Sequence, residues 1–368
     1  MTRLTEVLKI VGNAMPADCA AAAGMTLHVA NTRALREEAW GLVHRMYRAR
    51  GMEKSNSAKM RILPADAHPE ATTFLVRHDG RCVATLTLVP DSPLGLPSGE
   101  VCAAAFEKLR REGRVFCEMT KLAVDVDDLP GGARAGIPAL LDLFRLAYLT
   151  ARWILGATDI VASARPHHAR FYENTLLFAP IGGPAAYDSV EGTPGVPMRL
   201  DLTTAQARYF ARYANRSGSR NLHDAFVRED DARTVAWIAE GRRPLVAEDF
   251  RYFFVEKTNL LADADPVARQ YLRKFYPDTP DRVFPGRANR GAGHPRSPVM
   301  AETIRGREAE HHTEGVTMDA LAGLVKALEV RTSLLEGLLG AAPAPETQRV
   351  VREAKSPAEA RREELIHA

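Results

Sequence analysis

The chain has 368 residues, 46% hydrophobic and 26% charged, with 49 Lys and Arg against 46 Asp and Glu for a formal charge of +3. That composition is ordinary for a folded chain of about two domains; it excludes a fully disordered chain, a collagen-like fibre and a polytopic membrane protein. The even charge also argues against a dedicated nucleic-acid binder, which carries a strong basic excess.

Residues 1–24 read as a flexible N-terminal segment, a weak helix followed by an Ala-rich stretch. Glu6, Asn13 and Asp18 interrupt its apolar run, so no signal-peptide core is expected. Order begins at Met25. Thr26 to Val29 predicts a short strand, and Asn31 or Thr32 caps a helix through Leu35, Ala39, Leu42, Val43, Met46 and Tyr47, which Gly51 ends. Thr72–Arg77 and Cys82–Val89 predict a hairpin around Asp79-Gly80. A helix over Ala103–Arg110 and a strand over Arg114–Val124 follow. The Gly-rich loop Pro130–Gly136 then leads into a helix over Ala139–Leu155. Asp142, Arg145 and Arg152 make that helix amphipathic instead of membrane-spanning. A strand at Asp159–Ser163, a helix at His168–Leu177 and a strand at Val196–Leu202 complete a mixed α/β sheet with one parallel crossover.

Beyond Leu202 the composition turns to Arg and aromatics. Residues 203–285 read as a basic helical subdomain, and Pro277 to Pro298 as linker. Residues 286–368 hold the end of that linker, one amphipathic helix with an apolar stripe over 318–339, and a charged flexible tail. The stripe suits a docked helix, a partner helix or a homodimer seam. Cys19, Cys82, Cys102 and Cys117 have no metal-knuckle or redox-pair spacing, which fits a reducing cytoplasm and no metal.

Glu118 is the first candidate for chemistry. It stands in an otherwise apolar strand, on the face opposite Cys117 and Met119, so it must be paired, solvated or functional. In a cleft it suits a general base; an ion pair with Lys121 or an arginine is the bland alternative. The loop with Gly131, Gly132, Arg134 and Gly136 follows a strand and opens a helix, a place where backbone N–H groups can hold a phosphate. Arg165-Pro166-His167-His168-Ala169-Arg170-Phe171-Tyr172 lies at the end of a strand, where open sheets bind ligands. Arg45, Arg48 and Arg50 fan around a helix end beside Tyr47, where cations also serve the helix dipole.

Together these pieces resemble the GNAT-like acyltransferase fold, with a helical C-terminal extension. Within it the chain resembles the N-acyl amino acid synthase family, relatives of the acyl-homoserine-lactone (autoinducer) synthases. The resemblance is carried by R-M-Y-R-A-R-G (45–51), C-E-M-T-K-L-A-V-D (117–125), R-P-H-H-A-R-F-Y-E-N-T-L-L-F (165–178) and S-V-E-G-T-P-G-V-P-M-R-L-D-L (189–202). It spans roughly residues 26–202 and departs at His167, where the family has Arg.

The resemblance implies transfer of a long fatty acyl group from an acyl carrier protein thioester to the α-amine of an amino acid, tyrosine being the familiar acceptor. Residues 25–202 would be the acyltransferase domain, with Glu118 as base and a backbone N–H near Val124 or Asp125 facing the thioester oxygen. Arg45, Tyr47, Lys121, Arg165, His168, Phe171 and Tyr172 would line the substrate site, with the Gly-rich loop on the phosphopantetheine. No bound cofactor, nucleic acid or membrane span is implied, although the product invites peripheral membrane contact. Acyl carrier proteins are acidic, and residues 203–299 hold 17 Lys and Arg against 12 Asp and Glu. Arg208, Arg212 and Arg216, four residues apart, are the docking candidates. The alternatives are a GNAT N-acetyltransferase using acyl-CoA, an autoinducer synthase, and a non-catalytic acyl-ligand sensor or scaffold.

Overall fold

The computed structural model describes residues 24–277, apart from 130–131, 133–135, 217–220 and 228–231. The N-terminal segment before Gly24, the 318–339 stripe and the tail lie outside these residues.

Strand β1 (Met25–Val29) leads into helix α1 (Arg33–Arg48), whose start is capped by Thr32 Oγ1 accepting from the Leu35 N–H at 3.3 Å. The hairpin of β2 (Thr72–His78) and β3 (Arg81–Pro90) turns on Asp79 and Gly80, both at positive φ (48° and 75°), as a two-residue primed turn requires. Then come α2 (Gly99–Arg111), β4 (Phe116–Val124), α3 (Gly136–Leu149, extended by a π-helical turn to Ile154), β5 (Asp159–Ala164) and α4 (Pro166–Asn174). Short β6 (Ala179–Pro180) and β7 (Ala185–Tyr187) precede the long β8 (Thr193–Asp201). The remaining helices are α5 (Leu202–Tyr213), α6 (Leu222–Phe226), α7 (Ala232–Gly241), α8 (Ala247–Arg251, with a π-helical turn to Glu256) and α9 (Pro266–Phe275).

The sheet runs β1-β2-β3-β4-β5-β8-β6, with β7 pairing β8; every pair is antiparallel except β4–β5. Alternation along β2 assigns its side chains to two layers. Phe74 and Val76 join α3 and the Tyr209, Phe226 and Ile238 side chains of α5–α7. Leu75 joins Trp40, Leu42 and Val43 of α1 with Phe250, Phe253 and Leu272 of the last helices. Residues 202–276 therefore share both apolar layers of the sheet instead of enclosing a core of their own. Trp40 and Phe253 meet edge to face at 4.7 Å, and Arg33 holds Glu248 and Asp249 at 2.9 and 2.7 Å.

Several boundaries differ from the sequence expectation. Helix α4 begins two residues early because Pro166 suits a first helical position, and stops at Asn174, ahead of Leu177 at φ 57°. Helix α3 begins at Gly136, and β8 starts at Thr193, where it gains β7 as a partner. Arg114 falls just before β4: its guanidinium reaches the fully buried Asp159 at 2.6 Å.

Candidate active site

β4 and β5 are joined at one end and open at the other. Asp159, at the start of β5, accepts from Arg114 (2.6 and 2.9 Å) and Arg199 (2.6 Å), stapling β4, β5 and β8 together. Parallel pairing runs from Phe116–Asp159 to Met119–Ala162 and ends there. β4 continues against β3, but its register shifts between Thr85 and Thr87, so Lys121 and Leu122 together face Leu86. Lys121 takes up the bulge at φ 53°. The strands part at this bulge. The cleft so formed, with the solvent at its mouth, encloses about 1070 Å³.

Glu118 lines this cleft at the last paired turn of β4 and is 2% exposed. Its Oε2 accepts from the Ser98 N–H at 3.0 Å and the Ser98 hydroxyl at 2.7 Å. Neither of these bonds engages Oε1. Burial pushes the Glu118 carboxyl up to about 7, against the pull of the two Ser98 bonds. A carboxylate poised there can accept a proton near neutral pH. It has no ion pair with Lys121: the Lys121 ammonium turns away to Asp66 at 2.5 Å, over the Trp40 ring at 4.6 Å.

The other expected residues divide. Tyr47, Lys121, Arg165, His168 and Tyr172 line the cleft with Glu118. Burial lowers His168 to about 3, so its ring is neutral, and pushes the Tyr172 hydroxyl well above its ordinary value. Phe171 does not reach the cleft; one residue earlier on α4, it packs against Phe144 in the core. Arg45 is exposed on α1 and does not line the cleft either. The arginine that does so from this motif is Arg50, in the turn just past the end of α1.

Val124 is buried. The next N–H, of Asp125, donates to the Val83 carbonyl at 2.7 Å, so the Val124 N–H points to the other edge of β4, the one β5 has left. In the Gly-rich loop Gly132 sits at φ 62° and Gly136 opens α3; Gly131 and Arg134 lie outside the described residues. Arg208 and Arg212 are exposed on α5. Arg216 falls beyond the helix, over the Tyr213 ring at 5.1 Å.

Among the cleft residues that sequence reasoning missed are Ser98, Arg61 and Tyr187. Ser98 would have been visible as the cap of a longer α2. Arg61 carried no local signal: it crosses the cleft to the Ser189 carbonyl at 2.7 Å and covers the Tyr47 ring at 5.1 Å. Tyr187 stands where Gly195 makes room; a Cβ on Gly195 would fall 2.7 Å from the Tyr187 ring.

Residues 38–201 match the family model of the N-acyl amino acid synthase FeeM. This segment, a little under half of the chain, is similar to the N-acyl amino acid synthase family. The chain is an acyltransferase of GNAT-like fold, and the family match supports N-acyl amino acid synthesis as its reaction class. Among solved structures it is similar to FeeM from uncultured soil microbes, with 21% identity, 51% of this chain and 96% of that one covered, and a TM-score of 0.44. For the acyl-homoserine-lactone synthase LasI the figures are 16%, 52%, 96% and 0.37. For an acyl-CoA N-acyltransferase from Pseudomonas aeruginosa they are 15%, 48%, 98% and 0.32. No curated protein matches the chain in sequence. The family match ends at Asp201, so α5–α9 lie beyond it. Among the described residues no helix is long and apolar enough to cross a membrane.

Proposed function

We propose that the chain moves a long-chain fatty acyl group from the phosphopantetheine thioester of an acyl carrier protein to the α-amine of an amino acid, with a tyrosine-like acceptor. The observation that carries this reading is the buried Glu118, which lines the cleft where β4 and β5 part and has one carboxylate oxygen held by Ser98. The donor arm would enter between the parted strands, with the Gly-rich loop at its phosphate. The amine nitrogen attacks the thioester carbon while Glu118 takes its proton. The oxygen charge that develops faces the Val124 N–H. The C–S bond then breaks, and the departing thiolate gains a proton in place of the one lost by the amine.

Tyr47, Arg165, His168 and Tyr172 hold the substrates in this reading, and holding two reactants together supplies much of the rate. Residues 25–202 carry the chemistry. Residues 203–285 carry the docking face, where the exposed Arg208 and Arg212 would meet the acidic carrier. The proposed setting is the cytoplasm, and no bound cofactor is invoked.

Organic extracts from a bacterial host expressing the wild type and Glu118→Gln, analysed by mass spectrometry, test the reading. New N-acyl amino acids that vanish with Glu118→Gln support it, and their masses identify acyl chain and acceptor. Products that persist remove Glu118 as the base. Turnover of dodecanoyl-CoA equal to that of the dodecanoyl carrier protein removes the carrier as the preferred donor.

A further inference from the structure

Ser98 occupies the N-cap position of α2, yet its side chain does not cap the helix. The Ser98 carbonyl accepts from the Val101 and Cys102 N–H groups at 3.1 and 3.0 Å, so the first turn closes through the backbone. The hydroxyl is turned instead toward Glu118 Oε2, and the Ser98 N–H donates to that same oxygen. Two donors on one oxygen fix the carboxylate plane. Behind Ser98, the buried Cys102 thiol lies 3.7 Å from the Tyr187 hydroxyl, and Tyr187 packs where Gly195 has no side chain. The Ser98 hydroxyl is also hydrogen-bonded with that thiol, so Ser98 is braced through Cys102 and Tyr187.

We propose that Ser98 is the positioning residue of Glu118, aiming Oε1 at the incoming amine and favouring the ionised carboxylate. The inference rests on the reading of Glu118 as the base. The titratable groups around that carboxylate are Glu100 and Cys102 on α2, Tyr47 on α1, Tyr187 on β7 and Cys117 on β4 itself. None of these is a cation. Arg50, Arg61, Lys121 and Arg165 line the same cleft with the neutral His168, but none of them makes an ion pair with Glu118 among the described residues. The contacts that favour negative charge on Glu118 are therefore those of Ser98. Removing the hydroxyl leaves one donor where there were two, and the neutral acid gains.

The test uses the full chain in two measurements. Carbon NMR of carboxyl-labelled glutamate, with the Glu118 signal identified by its loss in Glu118→Gln, follows the titration without substrate. The Glu118 midpoint is expected near 7 in the wild type. It should lie about one unit higher in Ser98→Ala, unmoved in Ser98→Thr and between the two in Ser98→Cys. Turnover of dodecanoyl carrier protein with L-tyrosine is expected to fall about tenfold at neutral pH in Ser98→Ala, to recover as pH rises, and to be kept in Ser98→Thr. A Ser98→Ala midpoint equal to wild type overturns the proposal. So does a rate loss that neither higher pH nor threonine restores, since that would make Ser98 a structural element only. Glu118→Gln with full turnover would remove the base itself, whereas failure of Ser98 alone leaves the base standing.

Discussion

The ammonium of Lys121 lies 2.5 Å from Asp66 Oδ1 and 4.6 Å from the centre of the Trp40 ring, although Lys121 stands on the strand that borders the cleft. Both charged groups are 1% exposed. The pair ties the β4 bulge to the short 3₁₀ turn at Pro64–Ala67, where Asp66 Oδ2 also accepts the Leu63 N–H at 2.7 Å. Lys121→Met would leave the Asp66 carboxylate buried without its partner. We expect it to lower the unfolding free energy by about 3–5 kcal/mol in urea titrations. Lys121→Met with Asp66→Asn is expected to cost less than the sum of the single changes. Additive losses would show that the two groups are not coupled.

Glu118 gives a pH dependence of opposite sign to that of a surface carboxylate. Burial raises its pKa from 4.5 to about 7, so the folded chain holds a proton that the unfolded chain releases. Its contribution to stability is fully present below about pH 4.5 and fades as pH rises through about 7. Above that pH, Glu118→Gln is expected to unfold at a higher temperature than wild type, with a gain on the order of 3 kcal/mol at most. Its turnover is expected to fall by about 10²- to 10⁴-fold. Melting curves at acid and alkaline pH check the first expectation, and a variant no more stable than wild type above neutrality contradicts it.

Two buried histidines act in the other direction. Burial lowers His68 to about 4 and His168 to about 3, so both are neutral in the folded chain. Their contribution is present above about pH 6.5, where the unfolded rings are neutral too, and is lost as pH falls toward 3 to 4. The melting temperature of wild type is expected to drop over this window, and His168→Asn to flatten the drop. Parallel pH profiles for the two proteins would rule out His168 as a contributor.

Gly195 needs its missing side chain for packing. A Cβ there would press on the Tyr187 ring at 2.7 Å and on the Ser163 hydroxyl. Both residues line the cleft. Gly195→Ala is therefore expected to cost about 1–3 kcal/mol of stability and to impair acyl transfer, and Gly195→Val to be worse. Stability and turnover of the two variants measure this; an alanine variant indistinguishable from wild type would mean that Tyr187 moves freely.

Much of this was readable before any coordinates, and the reasons are local. Thr32 caps its own helix, Asp79-Gly80 sets its own turn, and alternation alone separates Glu118 from Cys117. The misses come from two sources. One is angular: Phe171 and Tyr172 are neighbours in sequence but about 100° apart around α4, so one faces the core and the other the cleft. Arg45 and Arg50 differ for a related reason: one stands on α1, the other in the turn that follows it. The other source is distance along the chain. Ser98 meets Glu118 twenty residues away, and Arg61 meets Ser189 across 128. Lys121 combines the two, because a bulge at a non-glycine residue shifts the alternation that placed Glu118.

The strand pair stapled at Asp159 and free beyond Met119 separates two demands that usually compete. The staple bears the load of the fold, while beyond Met119 β4 keeps only β3 and β5 only β8 as a partner, and the edges that face the gap have no strand to satisfy. Substitutions at Thr120, Leu122 or Ser163 would thus be felt first by whatever occupies the gap and only weakly by the sheet. A lineage could retune which acyl chain and which amine it joins by altering these positions, with little risk to folding.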